Sequence, residues 1–191
     1  MDNKVGSQIK RALRVTGDYF VSLVIFGIFS SIVFSIAKEN IERGIYVFSI
    51  IIFLIMFSMI YSSMSGIAFK EKRPQYNINP SPYKGFLYGI IGVVPIFVVQ
   101  LLYYLVDIVV YIPKELFMVK RRILQAFTGP LYWLAKLISY EIWAYHVVLL
   151  VIPVIAGLGY LAGHYEFYIM KKLKIFDKVK SKAKDKRKTN K

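Results

Sequence analysis

The chain has 191 residues, of which 57% are hydrophobic and 16% aromatic, above the roughly 45 to 50% apolar content of soluble domains. Its formal charge is +15, from 26 Lys and Arg against 11 Asp and Glu, and those charges are segregated from long apolar runs. An ordinary soluble fold is excluded, and the absence of cysteine excludes disulfides, thiolate metal sites and a cysteine nucleophile.

A basic arm, residues 1–18, opens the chain with Lys4, Lys10, Arg11 and Arg14. Crossing a hydrocarbon core takes about 20 mostly apolar residues, and lipid leaves the backbone no partner outside a helix. Four runs qualify, at residues 19–37, 45–69, 85–112 and 144–163. The first follows basic residues and ends at Ser35, Ile36 and Ala37, small enough for a signal peptidase. It is longer than the about 7 to 15 residues of a signal peptide's apolar region, so an uncleaved anchor is expected; cleavage would leave three spans and an external N-terminus.

The connection between the second and third runs carries Pro74, Pro80 and Pro82 with Asn77 and Asn79, a helix-breaking composition. Residues 113–143 are apolar yet hold Lys114, Glu115, Lys120, Arg121, Arg122, Lys136 and Glu141, together with both tryptophans, Trp133 and Trp143. Aromatic anchors gather where bilayer meets water, so the segment reads as one or two interfacial helices broken near Gly129 and Pro130. A re-entrant hairpin is the competing reading, and it requires a partner for Lys136. The bundle, with this segment, is expected to extend over residues 19–170.

Orientation follows the cations. Counting the arm, the loop after the second run and the tail, one side holds nineteen Lys and Arg and the other seven, which predicts a multi-pass plasma-membrane protein of bacterial type with both termini cytoplasmic. The expected fold class is an all-α integral membrane protein: a four-helix transmembrane bundle, one or two interfacial helices between spans 3 and 4, and a basic cytoplasmic tail.

Close approach of helices in lipid depends on small residues. Gly85, Gly89 and Gly92 in span 3, and Gly159 and Gly163 in span 4, predict a tight antiparallel contact between those two spans. Pro95 and Pro153, each ten residues from the glycine at its span's cytoplasmic end, predict matched kinks roughly 15 Å into the bundle. Carbonyls freed there are either ordinary features of membrane helices or ligands for an ion or solute.

Asp107 is the one Asp, Glu, Lys or Arg inside a run. With Gln100, Tyr103, Tyr104 and Tyr111 it forms a polar stripe on one helix face, facing either a polar path or, for Asp107, the headgroups and the interfacial helix. His146 and His164 are 18 residues apart, about 27 Å along one helix, too far for a shared metal. No catalytic residue, metal site or cofactor is assigned. The tail from residue 171 holds eleven cations, beginning with Lys171, Lys172, Lys174, Lys178 and Lys180. Such a segment attracts anionic headgroups or a partner and carries no pattern for specific nucleic-acid reading. A non-enzymatic accessory, assembly or interaction subunit, with a membrane-protein partner or as a homo-oligomer, is the leading functional expectation. The alternatives are a small homo-oligomeric transporter or channel, and a membrane enzyme acting on lipid.

Overall fold

Where lipid offers no hydrogen bonds, an apolar run closes its own backbone as a helix, and four long helices result. A computed structural model describes residues 5–37, 40–73, 80–109 and 122–166, the side chains of residues 104 and 106–109 excepted. In chain order the elements are α1 (Val5–Ile36), α2 (Ile41–Glu71), α3 (Lys84–Val109), α4 (described over residues 122–127), a 3-10 turn (Gly129–Leu131), α5 (Tyr132–Ile138), α6 (Ile142–Val147), a second 3-10 turn (Val148–Leu150) and α7 (Val151–His164). No strand occurs among the described residues. Among the described residues, four segments are long and apolar enough to cross a membrane: Val5–Ile36, Ile41–Glu71, Lys84–Tyr103 and Ile142–His164.

α1 and α7 each pack against both α2 and α3, so the four spans stand in a square with α1 diagonal to α7. Each long helix buries one stripe. On α2 it runs through Ser49, Ile52, Met56, Ile60, Met64, Ile67 and Glu71, the three- and four-residue spacing of an inward seam. The other faces expose large apolar side chains, among them Ile28, Leu54, Ile90 and Leu102, far more than a soluble surface tolerates.

The helices overrun the apolar runs. α1 begins at Val5, so residues 5–18, read from sequence as an arm outside the bundle, continue the first spanning helix. Arg11, Ala12, Val15 and Thr16 are buried on it. A helix long enough to leave the hydrocarbon carries charge at its end, so the apolar run marks only the part of the helix that lipid surrounds.

The glycines divide their contacts among three neighbours. A Cβ on Gly85 would meet Tyr160 Cβ at 2.1 Å, and one on Gly89 would meet Pro153 Cα at 2.5 Å, so these two do seat α3 on α7. Gly92 turns to α1, where a Cβ would lie 2.6 Å from Ala12 O. Gly159 and Gly163 face the backbone of α2 at Tyr61 and Ser65. The expectation that all five serve one α3–α7 contact is corrected on these three: in a square each helix has two neighbours, and small residues on two faces serve both. The matched-proline expectation is corrected too. Pro153 lies level with Gly89, whereas Pro95 lies six residues, about 9 Å, further along α3. The 3-10 turn Val148–Leu150 accommodates the N–H missing at Pro153, while α3 continues through Pro95.

Between the third and fourth spans the chain inserts a turn between α1 and α2. Leu131 and Ala135 are fully buried, and Tyr132 nearly so. Gly129 lies so close to the Phe26 ring that a Cβ would come within 2.2 Å of it, and Phe26 is ten residues, about 15 Å, from the end of α1. Non-helical backbone at that depth needs partners. Ser49 Oγ donates to Gly129 O at 2.6 Å and accepts from the Trp133 N–H at 3.2 Å, and Tyr19 OH donates to Phe127 O at 2.7 Å. A purely surface-lying helix is therefore not what this stretch forms over residues 122–138.

Candidate functional site

Three of the polar clusters inside or beside the bundle bear on function. The first lies at the end where α1 and α3 begin and α2 and α7 finish. Glu71 is the last residue of α2 and Lys84 the first of α3, each placed against its helix dipole, which favours cations at C-termini and anions at N-termini. Sequence local to either helix disfavours the placement; the fold overrides that preference by bringing the two together.

Glu71 is fully buried and its two oxygens accept from four donors. Arg11 Nη1 on α1 reaches Oε1 at 2.5 Å and Tyr88 OH on α3 reaches the same oxygen at 2.7 Å. Lys84 Nζ lies 3.3 Å and Tyr160 OH of α7 2.7 Å from Oε2. Each of the four spans supplies at least one member. The Lys84 ammonium also sits 5.4 Å from the Tyr88 ring centroid, and Gly85 and Tyr160 are in contact beside it. Two cations against one carboxylate leave the cluster with a net positive charge.

The second cluster is a pair. Gln100, sixteen residues and about 24 Å along α3 from Lys84, is 1% exposed. His146 Nδ1 lies 2.8 Å from Gln100 Oε1; the amide oxygen only accepts, so the imidazole donates. The amide nitrogen of Gln100 is buried with no hydrogen-bond partner among the described residues.

The third is a cleft at the other end of the bundle, between α1, α2 and the α4–α5 segment. Two adjoining cavities of about 430 and 270 Å³ share Ile45, Arg122, Gln125 and Tyr132. The larger adds Ile41, Glu42, Lys136 and Tyr140, and the smaller adds Phe26, Ser30, Phe34 and Ala126. Lys136 is ion-paired to Glu42, and its ammonium lies 5.3 Å and 5.0 Å from the Tyr132 and Tyr140 ring centroids. Burial lowers its pKa from the ordinary lysine value.

No family model, curated protein or solved structure matches the chain.

Of the residues singled out in the sequence, Gln100 enters the second cluster and Tyr103 is half-buried on the same helix. Tyr104 and Asp107 lie in α3 with side chains outside those described; Tyr111 and the tail cations Lys171, Lys172, Lys174, Lys178 and Lys180 lie outside the described residues. Trp133 is half-buried and packs edge-on against Phe53 at 5.3 Å. Trp143 is half exposed and donates its indole N–H to Glu141 at 2.9 Å. The histidines do not meet: His146 joins Gln100, and His164 stacks on Tyr160 at the other end of α7. Asp107 is not alone on the spanning helices, since Arg11, Asp18, Glu71 and Lys84 also lie on them. The Glu71 cluster is not anticipated from the sequence. Its visible trace there is an acid set between Lys70 and Lys72 directly after an apolar run.

Proposed function

We propose that the chain is a non-enzymatic multi-pass protein of the plasma membrane, acting as an accessory or assembly subunit through its helix faces and its basic tail. The observation that carries this reading is the saturation of Glu71. A carboxylate that already accepts from two cations and two phenols has no lone pair aimed at a substrate, and it ties all four spans together at the end from which residues 167–191 follow. The polar chemistry there holds a scaffold. The cation count favours a cytoplasmic position for that end, where the tail meets anionic headgroups or a partner.

A second reading draws on Gln100. Its unpartnered amide, on the helix that also carries Asp107, is what a small transporter working as a homo-oligomer would present to a solute path.

Two measurements test the proposal. A fluorescent reporter fused after Lys191 is expected to mature inside the cell, and activity of a periplasmic reporter at the same position would reverse the orientation. In mild detergent the full chain is expected to hold a second polypeptide in fixed stoichiometry, lost when Lys171, Lys172, Lys174, Lys178 and Lys180 are all changed to glutamine. A single-chain oligomer that drives solute uptake in liposomes, with uptake abolished by Gln100→Leu, would replace the accessory reading with the transport one.

A further inference from the structure

The cleft between α1, α2 and the α4–α5 segment is divided by chemistry. Its rim, at the start of α2, carries Glu42, Arg122, Gln125, Lys136 and Tyr140. Its floor descends along α1 through Phe34, Ser30 and Phe26, spaced four residues apart and therefore on one helix face. Eight residues separate Phe34 from Phe26, about 12 Å of helix, most of the roughly 15 Å of hydrocarbon in one leaflet. The slot thus runs along the bundle axis, with its polar end where the helices finish and its apolar end toward the middle.

The charges at the rim do not cancel. Glu42 is taken by Lys136, and Arg122 is exposed with no carboxylate partner among the described residues. One arginine is left over, beside the side-chain amide of Gln125, which donates at 3.2 Å to the hydroxyl of Tyr145. Guanidinium matches the oxygens of a phosphate bidentately. A net positive polar rim above an apolar slot of acyl length is complementary to a single class of molecule.

We propose that this cleft binds one phospholipid-type amphiphile, its anionic phosphate head on Arg122 with Lys136 nearby, and one acyl chain laid along Phe34, Ser30 and Phe26. The site is at the opposite end of the bundle from Glu71 and His164, the last residues of α2 and α7, and does not depend on the cluster there. It also gives the inserted segment a role: Tyr132 lines both cavities, and Phe26, set against Gly129 and stacked on Phe48 at 5.4 Å, forms the inner end of the slot.

The test uses the purified full chain in a maltoside detergent, with thermal unfolding followed during titration of dioctanoyl phosphatidylglycerol, dioctanoylglycerol or inorganic phosphate. Phosphatidylglycerol is expected to raise the Tm saturably, and the other two to do so far less at equal concentration. Arg122→Gln is expected to leave the ligand-free Tm unchanged, because the side chain is exposed, and to weaken phosphatidylglycerol at least about tenfold, as loss of a charge-assisted contact does. Ala126→Phe, which fills the slot and spares Arg122, is expected to weaken the lipid as well. Equal stabilisation by inorganic phosphate would reduce the site to an ion site, and equal stabilisation by dioctanoylglycerol to a generic apolar groove. An unchanged titration for Arg122→Gln would overturn the headgroup assignment.

Discussion

Replacing Glu71 with leucine is expected to destabilise the bundle by about 3 to 5 kcal/mol, because removing one member of a buried ion cluster leaves its partners charged and unpaired. Here the penalty falls on two cations at once, Arg11 and Lys84, and on the hydroxyls of Tyr88 and Tyr160. Unfolding in mixed micelles of rising SDS fraction reads the loss directly. Glu71→Gln keeps an acceptor for two of the donors and removes the charge, so it should fall between the wild type and Glu71→Leu. The combined variant Arg11→Met, Glu71→Leu, Lys84→Met, Tyr88→Phe and Tyr160→Phe removes the cluster without stranding any member, and should recover most of the lost stability, since apolar replacement of a whole buried ion pair is often neutral or better. A Glu71→Leu protein that unfolds at the wild-type SDS fraction would show that the cluster contributes nothing. The recovered variant separates energy from specificity. If it is stable yet populates more than one helix arrangement, the role of the cluster is to set register, because only one alignment of the four helices brings residues 11, 71, 84, 88 and 160 to a single point.

That convergence explains what the sequence could and could not reveal. The spans were legible because hydrocarbon imposes a length and a composition on each helix independently, so residues 45–69 and 85–112 announce themselves without reference to anything else. Which faces meet was only half legible. A glycine row says that something comes close, but Gly92 packs on Ala12 and Gly163 on Ser65, and nothing within either helix distinguishes those partners from the α3–α7 pair that Gly85 and Gly89 make. The cluster was not legible at all as a site. Lys84 and Glu71 lie one and two residues from an apolar run and Arg11 eight residues before one, where such side chains ordinarily mark water, and Tyr88 and Tyr160 look like two of fifteen tyrosines. Only the relative helix registers convert interface charges into a buried knot, and those registers are tertiary information. The inserted turn failed for a related reason: its depth is set by Ser49 and Tyr19, hydroxyls on two other helices that satisfy backbone groups 80 and 108 positions away.

Gly163→Ala is the second substitution with a large expected effect, and it discriminates between the contacts. The added Cβ would lie 2.2 Å from Ser65 O and 2.7 Å from both Ser65 C and Cα. All three are backbone atoms of a long helix, so no rotamer change relieves the overlap, and α2 and α7 must separate. Overpacking of this kind costs about 1 to 3 kcal/mol, and in lipid no hydrophobic gain offsets the lost backbone approach. Separation at position 163 also acts on the cluster, because Tyr160 lies one turn earlier on α7 and Glu71 six residues later on α2. Gly163→Ala should therefore lose part of its effect in the background that already lacks the cluster, a coupling that a double-mutant cycle measures. Gly27→Ala and Gly66→Ala are the controls: a Cβ at either meets nothing within 4 Å, and both should unfold at or slightly above the wild-type SDS fraction, as alanine favours helix over glycine. Were Gly163→Ala to behave like Gly66→Ala, the close approach of α7 to α2 would be wrong, and with it the square arrangement that brings Tyr160 to Glu71.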